Sequence, residues 1–301
     1  MKNTTEAGLT SVVIVSANSG DLLIECISRA LAATVPVDLI LSDNASVDGS
    51  VDAIERRWNR DSRIRILRNS ENLGFGAACN RAAMIARGDS ILFLNPDCLI
   101  EPDTIARLRE SLFGWRLVGL VGADIVDQHG RRESAARRRD PTIFRSLMTI
   151  TGLQRLSTRW RLLEGIDLPV ADNTKAQSVE AVSGALMLLA REAFERVGGF
   201  DEDYFLHCED LDLCRRVRDA GYGVVCANDV RVVHLKGTSS RSRPFFVAGH
   251  KHRGLWRWFI KHDPASRNGV LRVCVWLGLR LHLVLLAPRH AWQALRHRAQ
   301  R

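Results

Sequence analysis

Residues 91–97, Ile91-Leu92-Phe93-Leu94-Asn95-Pro96-Asp97, decide how this chain folds. The apolar run is short enough to be one buried strand. Pro96 cannot donate to a ladder and biases Asn95 toward extended backbone, so the strand stops there. Asp97 is left at the carboxyl edge of a central strand, and in open α/β sheets ligands bind outside that edge. Taken alone, Asp97 reads more simply as a loop acid capping the helix predicted to start near Asp103. Its company elsewhere in the chain shifts the balance.

Upstream, strand and helix patterns alternate. Val12–Val15 reads as a buried first strand followed by the small-residue loop Ser16-Ala17-Asn18-Ser19-Gly20. A helix over 21–33, a strand over Val37–Leu41 and a helix over Ser50–Trp58 follow, then a short strand over Ile64–Leu67. The Asx- and Ser-rich residues 42–50 are turn and cap formers. Such alternation predicts a parallel sheet with right-handed crossovers. Gly74 and Gly76 allow close backbone approach or positive φ, and they lead into a helix predicted over Ala77–Ala86. A glycine loop at a helix N-terminus suits an anion such as a phosphate, but the pattern is not GxGxxG.

Downstream of Asp97 a helix is predicted over Asp103–Trp115, then strands over Val118–Val121 and Ala123–Val126. Residues 128–161 are Arg-rich and irregular, either a solvated loop or a flexible rim that meets an anionic acceptor. Residues 164–177 read as a mobile linker. Val179–Leu189 returns to strand pattern, interrupted by Ser183-Gly184-Ala185, where small residues mark close approach by a ligand or a backbone. Glu209, Asp210 and Asp212 fall in the first turn of a helix that Gly221 ends, a position the helix dipole favours for acids without further purpose. Final strands are predicted at Val224–Cys226 and Val230–Val233. His234 then opens a small polar loop, where an imidazole can ligate a metal.

Composition bounds the function. The 301 residues, 46% hydrophobic and 26% charged, suffice for one large α/β domain or two small ones. Seven scattered cysteines, without zinc-finger spacing, predict reduced thiols in a cytosolic protein. Net charge is +9, unevenly spread: from Arg241 onward thirteen Lys/Arg meet one acid, a net +12, while the remainder carries 30 against 33, a net −3. A basic tail bearing Trp256, Trp258, Trp276 and Trp292 points to an anionic surface, lipid headgroups or nucleic acid. No signal peptide is expected, since residues 1–10 are polar. Val270–Ala287 is the most apolar span, but Arg272, Arg280 and His282 make a membrane crossing costly, so an interfacial helix or one packed on the domain is expected.

In combination these pieces resemble glycosyltransferase family 2. The matching segments are VVIVSAN at 12–18, LSDNASVDGS at 41–50, NSENLGFGAACNRA at 69–82, ILFLNPD at 91–97, VSGALML at 182–188, GGFDEDYFLHCEDLDLCRR at 198–216 and VVHLKGTSS at 232–240. They cover roughly residues 11–260 and look most like the bacterial rhamnosyltransferase-type branch, which builds surface polysaccharides. The resemblance implies a GT-A fold, Rossmann-like, with a mostly parallel central sheet flanked by helices. A catalytic domain over 1–240 and a helical, basic extension over 241–301 would follow.

By the same resemblance, Ser16 and Asn18 would border the nucleotide and Asp43 would contact the base. Asn72, Gly74 and Phe75 would line the nucleotide side of the cleft, with Asn95, Ser183 and Gly184 also at the nucleotide sugar. Asp97 and His234 would hold Mg²⁺ or Mn²⁺ on the donor diphosphate. Asp210, beside Glu209, would be the general base. The family's Asp-x-Asp motif stands here as Asn95-Pro96-Asp97, with one carboxylate. The implied activity is inverting transfer from a nucleotide-diphosphate sugar, dTDP-L-rhamnose by preference, to a glycan or polyprenyl-diphosphate-linked acceptor. The enzyme would lie peripherally on the cytoplasmic face of the membrane, held by its tail, without nucleic acid. The alternatives are another donor (a UDP- or GDP-sugar), a sugar nucleotidyltransferase, a non-catalytic binding module, or a nucleic-acid-binding tail. A nucleotidyltransferase would normally carry a Gly-rich loop with Lys or Arg after the first strand, and Ser16–Gly20 has no basic residue.

Overall fold

A computed structural model describes residues 5–157, 159–171, 174–235 and 244–299, with side chains to residue 288. The first half alternates as expected: β1 (Glu6–Ser16), α1 (Leu22–Leu31), β2 (Val37–Asp43), α2 (Ser50–Arg57), β3 (Ile64–Arg68), α3 (Phe75–Ala83) and β4 (Gly88–Leu94). Next come β5 (Cys98–Leu99), α4 (Thr104–Phe113), β6 (Val118–Val126), α5 (Ile143–Ile150), β7 (Ala176–Ser178), β8 (Leu186–Ala190) and α6 (Arg191–Arg196). The chain continues through α7 (Glu209–Asp219), β9 (Gly223–His234), α8 (Pro244–His262) and α9 (Gly269–Ala299).

All nine strands form one sheet in the order β3-β2-β1-β4-β8-β6-β9-β5, with β7 added against β9. Strands β1 to β4 are mutually parallel, as are β6 and β9, and these pairs make most of the ladder. The antiparallel β8 sits between β4 and β6. Leu92, Phe93 and Leu94 of β4 are fully buried, because helices cover both faces of the sheet. Their side chains alternate between the two cores. Leu92 and Leu94 meet α1 and α4 residues such as Leu23 and Leu108, while Phe93 packs with Phe194 and Phe200.

Several expectations are corrected. Each pair of late strands is a single strand, and β9 loops out Asn228-Asp229-Val230 opposite the Ala123–Asp124 step of β6. Asn228 is held there by the buried Arg137, whose Nε donates to its Oδ1 at 2.8 Å. The segment 128–161 is not simply solvated: it contains α5, and Arg137 also forms a buried pair with Asp124 at 2.6 Å. Residues 164–171, read as linker, are tied to it through Arg139 N to Ile166 O and Leu168 N to Arg137 O. Residues 179–182 lie outside any strand apart from an Arg138–Ala181 bridge, so the strand begins only after the small residues and is not interrupted by them.

The tail is not uniformly exposed either. Trp258, expected at a membrane surface, is 1% exposed and lies in the core with Tyr204, Leu211 and Val217. Asp212 draws α8 onto α7: its buried carboxylate accepts from Arg216 at 2.6 Å and lies 2.7 Å from both Lys261 and His262. Burial opposes its ionisation, but those three partners override burial and hold its pKa well below the usual range. Helix α9, by contrast, presents a 20-residue span, Gly269–Pro288, long and apolar enough to cross a membrane and with none of its residues buried. Packing on the domain is therefore not what shields it. Trp256 is half-buried, Trp276 is exposed, and the side chain of Trp292 lies outside the described residues.

Candidate active site

Pairing of β4 with β8 brings Leu94 opposite Leu186, so Asn95-Pro96-Asp97 leaves the sheet where Ser183-Gly184-Ala185 enters it. Asn95 N donates to Ala185 O at 2.9 Å, and the Cys98 thiol reaches the same carbonyl at 3.4 Å. The two-residue β5 then pairs Cys98 with His234 at the end of β9. This register, rather than any local motif, sets Asp97 against the imidazole: Oδ1 lies 3.2 Å from His234 Nε2. On the other ring nitrogen, Nδ1, Glu133 Oε1 lies at 3.3 Å. Burial disfavours the imidazolium, but hydrogen bonds to Asp97 and Glu133 outweigh it and raise the His234 pKa to about 9. Residues 236–240, the rest of the predicted polar loop, lie outside the described residues.

The two carboxylates are aimed by a strained approach. His207 and Cys208 have φ of 69° and 72°, a left-handed conformation that costs non-glycine residues of order 1–3 kcal/mol each. They turn the chain into α7 so that Glu209 and Asp210 open it. The approach is gripped from two sides: a Cβ on Gly74 would lie 2.5 Å from Phe205 O, and one on Gly254 would lie 2.6 Å from His207 O. Asp210 Oδ2 accepts from Gly184 N at 3.0 Å and from Arg138 Nη2 at 2.5 Å, while Oδ1 accepts from Leu211 N at 2.8 Å. Gly184 permits this approach, since its Cβ would stand 3.1 Å from that of Asp210.

Burial works against ionisation of Asp210, but Arg138 overrides it and holds the carboxyl below the usual carboxylate range. Glu209 goes the other way. Burial, and then the Asp210 charge, push its pKa up to about 8. The ionisation of Asp210 is thus set by an arginine outside the helix.

Among the nucleotide-side residues, Ser16 and Asp43 are ladder partners at the carboxyl ends of β1 and β2. Both are buried: Ser16 Oγ donates to Ser19 Oγ at 3.1 Å, and Asp43 Oδ1 accepts from Ser46 N at 2.9 Å. Asn18 takes a positive φ of 60°, and its Oδ1 accepts from Val47 N at 2.8 Å, joining the two loops. Asn72 Oδ1 accepts from Gly74 N at 3.0 Å, and Phe75 N donates to Phe205 O at 3.0 Å. The β2–α2 loop, residues 72–75 and the approach to α7 are thus joined in one hydrogen-bonded rim, Asn44 Nδ2 reaching Gly74 O at 3.0 Å.

The structure therefore puts Asp97 in direct contact with His234 and joins Asp210 to them through Gly184, Ala185 and Asn95. Asp97 does not cap α4, and no side-chain cap is found there. Sequence reading missed Glu133 and Arg138. Both lie in the Arg-rich segment, where charge alone reads as surface. No local signal marks Glu133. The alternation of a buried Arg137 with a bridging Arg138 is a short extended pattern that a charge run hides.

Residues 11–198 match the profile described as Glycosyl transferase family 2. The chain is 30% identical over 296 residues to the N-acetylglucosaminyl-diphospho-decaprenol L-rhamnosyltransferase of Mycobacterium tuberculosis, covering 87% of this chain and 92% of that protein. In structure it is similar to a mannosyltransferase from Pyrobaculum calidifontis in complex with GDP-Man and Mn²⁺ (TM-score 0.59, 20% identity, 96% of this chain and 75% of that one). It is also similar to GalNAc-T7 with UDP, GalNAc and Mn²⁺ (TM-score 0.60, 19% identity, 86% and 50%). At such identities these two likenesses speak for the GT-A fold alone. A family profile spanning more than half the chain, and a relative matched along nearly its whole length, show that this protein belongs to glycosyltransferase family 2 and is a glycosyltransferase.

Proposed function

We propose that this enzyme is an inverting rhamnosyltransferase, moving L-rhamnose from dTDP-L-rhamnose to a glycan carried on a polyprenyl diphosphate. The observation that carries it is the Asp97–His234 pair at the sheet edge, with Asp210 held on Gly184 beside the Ala185 carbonyl that Asn95 donates to. The name of the M. tuberculosis relative supports the donor sugar and a lipid-diphosphate acceptor. Single displacement needs one ionised base to take the acceptor proton. Asp210 meets that need because Arg138 keeps it ionised. Glu209 keeps its proton at neutral pH and so supports the site as a neutral group. Ser16, Asn18, Asp43, Asn72, Gly74 and Phe75 would border the nucleotide, and Asn95, Ser183 and Gly184 the sugar.

The donor set fits a divalent cation. Asp97, Cys98 and His234 offer atoms within 4.8 Å of one another. Cys98 offers a soft, fully buried thiol, which a hard cation such as Mg²⁺ or Mn²⁺ disfavours. One carboxylate oxygen and one imidazole nitrogen remain, a set that leaves room for diphosphate oxygens and water on Mg²⁺ or Mn²⁺. Such an ion, when bound, neutralises charge developing on the leaving diphosphate. Glu133 at Nδ1 leaves Nε2 facing Asp97, the outer-sphere arrangement that orients a ligating histidine. Glu133→Gln should weaken Mn²⁺ binding, followed by the loss of the free-ion electron paramagnetic resonance signal, on the order of 10–100-fold. Unchanged affinity would remove Glu133 from that role.

We assign catalysis to residues 1–240 and attachment to the extension 241–301, with α8 as the joint and α9 at the cytoplasmic membrane face. A panel of dTDP-, UDP- and GDP-sugars with Mg²⁺ or Mn²⁺, scored for nucleoside diphosphate release, tests the donor. Release from dTDP-rhamnose well above the others is expected. Turnover confined to a UDP- or GDP-sugar would overturn it.

A further inference from the structure

We infer that a second surface, over α5 and the short turns after it, docks on an anionic lipid bilayer. It is distinct from the basic tail. Between Pro141 and Leu163 the chain carries four arginines and no acid. Helix α5 turns Met148 inward and leaves Phe144, Leu147 and Ile150 outward at spacings of three. Leu156, Trp160 and Leu162 continue the exposed apolar surface, and Ile150 and Leu162 are each 80% exposed. Scattered surface leucines need no explanation, but this many within twenty residues do.

Charge names the occupant. Arg145 is paired with Glu180 at 2.7 Å, but Arg155, Arg159 and Arg161 are exposed and form no ion pair among the described residues. Apolar side chains flanked by arginines, with an interfacial tryptophan and no acid, match a headgroup layer over an acyl boundary. A protein partner would be expected to meet some acid–base complementarity of both signs, and none is offered here.

Placement agrees. Ile143 N, at the start of α5, donates to Asp263 Oδ2 at 3.1 Å, and Asp263 lies at the joint between α8 and α9. The α5 surface is thus anchored beside the root of the apolar helix. Five residues before α5, Arg138 holds Asp210. Two weak attachments, one apolar helix and one basic–apolar patch, are the usual requirement for stable membrane binding. With both engaged, the side of the cleft carrying Asp210 would face the bilayer, where a lipid-linked acceptor arrives. In this respect the inference rests on the acceptor proposed above.

The test is sedimentation of the full chain with vesicles of neutral phosphatidylcholine, with or without 30% anionic phosphatidylglycerol (a composition of roughly physiological surface charge). Replacing Arg155, Arg159 and Arg161 by Gln should lower affinity for the anionic vesicles on the order of 100-fold, about fivefold per arginine, and change neutral binding little. Ile150→Glu with Leu162→Glu should weaken both by about tenfold or more. Leu277→Glu with Leu281→Glu, on α9, provides the comparison. Wild-type vesicle binding by both patch variants, with loss confined to the α9 variant, would overturn the inference. So would a dimer in sedimentation velocity that the patch variants dissociate, which would make the patch a contact between copies. Turnover on a short water-soluble acceptor should be unchanged in the patch variants. Failure of the donor panel would strike the proposed reaction and leave the vesicle result standing.

Discussion

Asp210→Asn is expected to cut sugar transfer by roughly 10²–10⁴-fold while leaving donor affinity nearly unchanged. The amide keeps one acceptor oxygen, enough to retain the bond from Leu211 N at the turn into α7, while its NH2 group replaces the oxygen that accepts from Gly184 N. It cannot take a proton from the acceptor hydroxyl. Glu209→Gln should cost far less, because the amide resembles the neutral acid already held there by burial. The pH profile separates the two further. Arg138 keeps the Asp210 pKa below its usual range, and a base must be ionised to act. The acid limb of kcat/KM should therefore lie below about pH 4, the ordinary value for Asp. Arg138→Gln removes the charge that lowers the pKa, so that limb should move upward. Full turnover by Asp210→Asn, or an acid limb unmoved by loss of Arg138, would remove Asp210 as the base.

What could be read from the sequence was whatever local pattern controls. Strands β1 to β4 and the helices between them follow from hydrophobic runs of fixed length and from Asx- and Gly-rich loops, and they appear within a few residues of expectation except that β1 begins six residues earlier, at Glu6. Asp97 could be placed because Pro96 stops its strand. Its partner could be named only through family resemblance, because the Asp97–His234 contact depends on a two-residue strand closing against β9 across more than 130 positions. Arg138 and Glu133 were beyond reach for a related reason. An arginine is buried by finding a carboxylate elsewhere in the fold, as Arg137 finds Asp124, and neither composition nor periodicity records that partner. Trp258 was misread for the converse reason. It sits in a basic stretch, yet Lys261 and His262 nearby turn inward to Asp212 and carry the tryptophan into the core with them.

Trp258→Ala should destabilise the whole domain by about 3–5 kcal/mol, the usual cost of emptying a fully buried large aromatic site. Thermal unfolding would register this as a fall of roughly 2–4 °C per kcal/mol. The side chain is enclosed by Tyr204, Leu211 and Val217, and its ring lies 5.3 Å from that of His262, so these neighbours cannot all collapse into the space. Trp258→Phe is the informative companion. Among the described residues the indole N–H has no hydrogen-bond partner, so phenylalanine gives up volume but also removes a buried orphan donor, and its cost should be much smaller. Catalysis should suffer with stability in the alanine variant. Helix α8 presses Gly254 against His207, and a loosened α8 releases the left-handed turn that aims Asp210. Trp276→Ala, on the exposed α9, should leave the unfolding free energy within about 0.5 kcal/mol of the parent. Equal melting of the two alanine variants would show that α8 is an appendage and that the base is positioned without it.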